Sequence, residues 1–185
     1  MTPLPAVMLM LGLLAAAGCR PSDASPVPGT SPVADPIVIP PRGTASRLEI
    51  ASWNVEWFGA AGNGPADEAL QQARVADVLR GTDADIRGMA EIVDEEAWEA
   101  LVASLPGYAG FLANDRRVSG GARSYGRNEQ KVGLLYKQDV ATVTGARVIL
   151  AHADSDFAGR PPLEVRLRVT SGGVTDSIVV VVLHM

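Results

Sequence analysis

Basic residues are the minority in this sequence. Sixteen Lys and Arg stand against twenty-one Asp and Glu, a formal net charge of −5 over 185 residues. A protein that coats nucleic acid carries a basic footprint, so that class is excluded. An enzyme that grips phosphate at one local basic patch is not. Cysteine occurs once, as Cys19, which excludes an internal disulfide framework. The glycine-rich stretch 59–64 is followed by no Gly-Lys-Ser/Thr, which excludes a nucleotide P-loop. No Lys or Arg precedes Cys19, so the positive start of an ordinary export signal is missing.

What is present begins with an apolar run over residues 6–17 that is too short to cross a bilayer, which takes roughly 20 residues. Small residues Ala16, Ala17 and Gly18 lead from it into Cys19. That order predicts an export signal over 1–18 of the bacterial lipoprotein kind, with Cys19 lipidated and the protein exported to the cell envelope or secreted. Residues 19–45 are rich in proline and read as a tether. Residues 46–185 are then one domain, and the chain, 47% hydrophobic, is long enough to bury most of its surface.

Within the domain, residues 48–58 alternate as a strand, with Leu48 and Ile50 on one face. Pro65 reads as a helix start, with Leu70, Ala73, Ala76 and Leu79 as the apolar stripe and Gly81 as the stop. A strand over 85–92 follows. Asp94 then caps a helix whose Trp98, Leu101, Val102 and Leu105 form a core stripe. Residues 114–131 form a polar loop with Arg116, Arg117, Arg123, Arg127 and Lys131 against Asp115 and Glu129, a composition that suits phosphate oxygens or plain solvent. Further strands are expected over 132–136, 146–150 and 162–169. Ser171-Gly172-Gly173 reads as a hairpin connection. The unbroken apolar run 178–183 reads as a strand covered on both faces.

Three of these strands end in polar side chains: Asn54 (with Glu56), Glu91 and His184. A carboxylate and an amide oxygen suit a hard cation such as Mg2+, and histidine suits proton transfer near neutral pH. Such a cation neutralises charge on a phosphoryl oxygen and lowers the pKa of bound water.

The stretches SWNVEW (52–57), DIRGMAEI (85–92), KVGLLYK (131–137), RPPLEVRLRV (160–169) and VVVVLHM (179–185) occur in that order. Together they resemble the endonuclease/exonuclease/phosphatase superfamily, which includes pancreatic deoxyribonuclease. The resemblance implies an α+β fold of the deoxyribonuclease I-like type, a four-layer α/β/β/α sandwich of which about the first half is present. It implies Asn54 and Glu91 at a metal site for Mg2+ (or Mn2+ or Ca2+) and His184 as a catalytic histidine. It places Arg127 and Asn128 against substrate phosphates. Ala90 departs from the family pattern, where many members have glutamine. The family's later Asp-x-Asn and Asp-His motifs do not occur, so this chain is expected to be an incomplete, inactive piece. The activity implied for the parent is metal-dependent phosphodiester hydrolysis, foremost an extracytoplasmic nuclease acting on nucleic acid. A phosphomonoesterase, a phospholipid or inositol-phosphate phosphodiesterase, or a non-catalytic envelope binding module are the alternatives.

Overall fold

Strand β1 (Ile50–Phe58) leads, in a computed structural model that describes residues 35–185, into a helix set by a single side chain. The expected signal segment, Cys19 and the first part of the Pro-rich stretch lie outside the described residues. The helix is α1 (Glu68–Thr82), and it begins after Asp67 rather than at Pro65. The Asp67 carboxylate accepts from the Leu70 N–H at 2.9 Å, satisfying one of the donors that a helix start leaves without a partner. Asp83, left-handed at φ 50°, ends the helix, so Gly81 lies inside it. The buried face is Gln71, Val75, Ala76 and Leu79, while Leu70 is 39% exposed. Of the expected stripe, Ala76 and Leu79 lie on this face, while Gln71 and Val75 stand in place of Leu70 and Ala73.

Strand β2 (Ile86–Ile92) lies parallel to β1, and α2 (Glu95–Ala103) follows, capped by Asp94 through the Ala97 N–H at 2.7 Å. Strand β3 (Tyr108–Leu112) was not anticipated. It is short, and Ala109 and Gly110 blunt its alternation. Gly110 is required there because a Cβ would lie 2.8 Å from the Trp98 ring. Strand β4 (Lys131–Lys137) completes a sheet of order β1-β2-β4-β3.

A second, antiparallel sheet is built from β5 (Ala141–Val148), β6 (Leu163–Ser171) and β7 (Val174–Val182). Strand β5 starts five residues before the expected 146 and stops short of Ile149. Ser171 pairs with Val174 across a two-residue turn in which Gly172 and Gly173 have φ 56° and 80°, a conformation glycine takes without a Cβ penalty.

Two hydrophobic clusters define the layers. Val55, Phe58, Leu79, Met89, Trp98 and Leu135 pack the helices onto the first sheet. Ile86, Ala90, Leu134, Leu163, Val165 and Leu167 lie between the sheets. Full burial of each such side chain is worth about 1.5–3 kcal/mol, so the sheets are held face to face by their alternate residues. The architecture is α+β: helices, a four-stranded sheet, then a three-stranded sheet. No helix covers the outer face of the second sheet among the described residues. There the expectation of a strand buried on both faces fails, since Val179, Val181 and Leu183 on or after β7 are 59%, 45% and 49% exposed.

The end of the Pro-rich segment is laid on α1. Asp35 accepts from Arg74 through its carbonyl, the Ile37 N–H donates to Asp77, and the Arg42 N–H donates to the Thr82 carbonyl. Ile39 packs where a Cβ on Gly81 would be, 2.5 Å from its own Cβ.

Candidate active site

The pairing of β1 with β2 breaks at their carboxyl ends. Asn54 stands opposite Ala90 and Phe58 opposite Ile92, so residues 55–57 face Glu91 alone. The β2–β4 ladder breaks at the same place, with residues 90 and 91 opposite residue 132. These bulges put Glu56, Trp57 and Glu91 into left-handed backbone at φ 50°, 52° and 64°. Non-glycine residues occupy that region at a cost of order 1–3 kcal/mol each and cluster at functional sites.

The bulges aim one carboxylate. Glu91 Oε1 accepts from Asn54 Nδ2 at 2.7 Å, and its Oε2 accepts from the Trp57 N–H at 3.1 Å. His184, just past β7, brings Nε2 to 3.1 Å from Glu91 Oε1 and 3.3 Å from Asn54 Nδ2. One ring nitrogen cannot donate to the carboxylate and accept from the amide at once. The carboxylate contact is the shorter, which puts a proton on Nε2. His184 Nδ1 is buried with no partner among the described residues. Asn54 Oδ1 accepts from the Glu56 N–H at 2.9 Å. Three residues far apart in the chain thus meet where two sheets meet. A Cβ on Gly88 would lie 3.2 Å from Val182, which shows how closely β7 approaches β2.

The other expected residues are placed differently. Glu56 is exposed, and its carboxylate takes no part in this cluster. Ala90, 7% exposed, is core between the sheets. Arg127 and Asn128 line a neighbouring cleft of about 720 Å³ with Trp57, Asn63, Asp94 and Glu99. No hydrogen bond joins them to Asn54, Glu91 or His184 among the described residues; Trp57 is the shared wall.

The basic loop does not offer five cations. Arg117 forks onto Asp115 at 2.8 and 2.9 Å and stacks 5.0 Å over the Phe111 ring. That hydrogen-bonded fork, against the cost of burial, holds the Asp115 carboxyl below its usual range. Arg123 donates to Glu95 at 2.6 Å. Lys131 is fully buried and bonds only to carbonyl oxygens. Arg116 and Arg127 form no ion pair among the described residues.

Gln71 escaped the reading of the sequence. It is 9% exposed, and its Nε2 donates to the carbonyls of Val55 and Glu56 at 2.8 and 2.6 Å. Those carbonyls are released where β1 bulges. Spacing could have found it, since Gln71, Val75 and Leu79 recur every four residues on the buried face.

No protein-family profile matches the chain, and no curated protein matches it. Solved structures do. A humanized D. rerio TDP2 carrying 14 mutations is similar at 15% identity and a TM-score of 0.49, over 75% of this chain and 47% of that one. The human Nocturnin catalytic domain with bound sulfate anion is similar at 12% identity and a TM-score of 0.44, over 72% and 49%. ANGEL2, a 2',3'-cyclic phosphatase, in complex with adenosine-2',3'-vanadate, is similar at 15% identity and a TM-score of 0.36, over 60% and 30%. The likeness is one of fold. The chain spans half or less of the length of these structures.

Proposed function

We propose that the protein hydrolyses phosphodiesters with a divalent cation, as a nuclease exported to the cell envelope and anchored through Cys19. One observation carries the chemistry: the Glu91 carboxylate, held by Asn54 and the Trp57 N–H on strained backbone, shares its Oε1 with His184 Nε2.

The donor set fits a hard cation. Mg2+ keeps several waters and asks the protein for one or two carboxylates. No three His, Cys, Asp or Glu side chains converge among the described residues, and this coordination does not need them. Glu91 would supply the anionic oxygen, and Asn54 an amide oxygen after turning its amide over, since Oδ1 now faces the Glu56 N–H. When bound, Mg2+ (or Mn2+ or Ca2+) supplies Lewis-acid polarisation of a phosphoryl oxygen. The chain's own residues do the rest. The Trp57 N–H orients the carboxylate. His184 holds a proton at Nε2 within reach of a phosphoester seated against Glu91. Arg127 and Asn128 flank the cleft that opens beside Trp57.

A second reading is a smaller phosphoester, such as a phospholipid headgroup or an inositol phosphate. It is favoured by the loop, where three of the five cations are already engaged within the fold.

Plasmid nicking with Mg2+ and with EDTA, on this 185-residue chain and on the longest product of its gene, tests the proposal. Nicking that requires Mg2+ and is abolished by Glu91→Ala is the expected result for the longer product, with the chain itself inactive. Full activity in Glu91→Ala would remove Glu91 from the site. Hydrolysis of sphingomyelin or inositol phosphate without nicking would select the second reading. Hydrolysis of none of them would leave a binding module.

A further inference from the structure

Lys131 reads from the sequence as a loop cation, yet its side chain has no exposed surface. An ammonium carries three N–H groups, and all three are taken here. The carbonyls of Val93, Arg127 and Glu129 accept at 2.8, 2.8 and 3.2 Å. The Glu95 carboxylate lies 3.9 Å away. Burial holds the lysine below its ordinary range, with Glu95 opposing.

A buried charge is costly unless it is paired and hydrogen-bonded, and here its partners come from two stretches that bound the cleft. Val93 follows Glu91 by two residues, and its N–H, like that of Asp94, donates to the Phe58 carbonyl at the end of β1. Arg127 and Glu129 flank Asn128 in sequence, and the Gly126 N–H donates to the Glu129 carboxylate, closing the same turn. One ammonium thus joins the strand end that carries Glu91 to the turn that carries Arg127 and Asn128.

We propose that Lys131 is a positioning residue that fixes the Arg127–Asn128 turn beside Glu91, so that the turn's side chains meet the phosphate of a bound phosphoester. This rests on the phosphoesterase reading above. A lysine that merely stabilised the fold would lower activity only through loss of folded protein. A positioning lysine raises KM through Arg127 and leaves kcat close to its original value.

Two measurements on the longest gene product test it. Limited trypsin digestion compares the bond after Arg127 with the bond after Arg116 in the same loop. In the unmutated protein the Arg127 bond is expected to be cut about tenfold more slowly, because opening the turn first breaks the clamp. Lys131→Met should remove that difference and leave the Arg116 rate unchanged. In steady-state hydrolysis with Mg2+, Lys131→Met should raise KM about tenfold, the scale of a lost charge-assisted contact. Adding it to Arg127→Ala should raise KM no further. Equal cutting at the two bonds in the unmutated protein overturns the clamp, even if Lys131→Met does not fold. Additive KM effects overturn its action through Arg127. If no phosphoester is hydrolysed, the functional reading fails by itself, and the trypsin ratio still decides the clamp.

Discussion

Glu91, Asn54 and His184 show how much single residues depend on backbone. Glu91 reaches its partners because its φ is 64°, which turns its side chain out of the alternation set by Met89 and Ala90. At this scale the loop arginines make a quantitative prediction. If the protein is a nuclease, only Arg116 and Arg127 remain in the loop to displace counterions. The logarithm of affinity for duplex DNA should then fall against the logarithm of salt with a slope of about 2, not the 4 to 5 that all five cations would give. Affinity measured between 50 and 200 mM salt, a range of the usual kind for such titrations, decides between them. A second prediction concerns Tyr108, whose hydroxyl donates to the Ala84 carbonyl at 3.0 Å. Burial, partly opposed by Lys137, pushes this phenol from 10.0 up to about 12. The folded state therefore keeps its proton where the unfolded chain loses it. The stability this contributes is complete below pH 10 and is lost as pH rises toward 12. Tyr108→Phe titrates in neither state, so its urea midpoint should fall less steeply over that window. Near neutral pH it should lose about 1 kcal/mol for the missing hydrogen bond.

Among the elements, α1 and the segment over it are coupled through one glycine. Helical Gly81 costs up to about 1 kcal/mol relative to alanine. Here the Cβ of alanine would lie 2.5 Å from Ile39 Cβ and 2.7 Å from the Ile39 carbonyl. Gly81→Ala should therefore destabilise the chain that contains residues 35–44 and expose that segment to protease. In a chain beginning at residue 46 the same change should stabilise, by up to about 1 kcal/mol. Paired thermal melts of the two lengths check the reversal of sign. Strand β7 teaches a different lesson about elements. An unbroken apolar run fits a strand buried on both faces, yet only Val182 on it is fully buried. Its alternate residues face the other sheet, and the rest lie on an outer face that nothing covers among the described residues.

For the molecule as a whole, that face and edge predict behaviour in solution. An exposed apolar edge strand is a template for association. Val181, 45% exposed and opposite Glu164 across the ladder, is a place where a charge is tolerated. Val181→Lys should shift the 185-residue chain toward monomer in sedimentation velocity while moving its melting temperature little. An unchanged association state would place self-association elsewhere.

Local chemistry made much of this protein legible in sequence. Asp94 as a cap, the alternation of Leu163 to Val169, and the Gly172-Gly173 turn all express preferences that act within a few residues. Asn54, Glu91 and His184 stood out as polar residues among apolar ones, but only His184 lies past the end of its strand; Asn54 sits inside β1 and Glu91 inside β2, where the bulges turn them. What short range could not determine is which face, and which partner, each residue would find. Lys131 is a loop cation in sequence and a buried clamp in the fold, because carbonyls from two distant stretches converge on it. Gln71 looks like a surface residue until the bulge in β1 releases two carbonyls above it. Strand β3 exists because β4 offers it an edge. Hydrogen bonding between distant backbone groups, and the burial that makes such bonds obligatory, is a property of the assembled sheets alone.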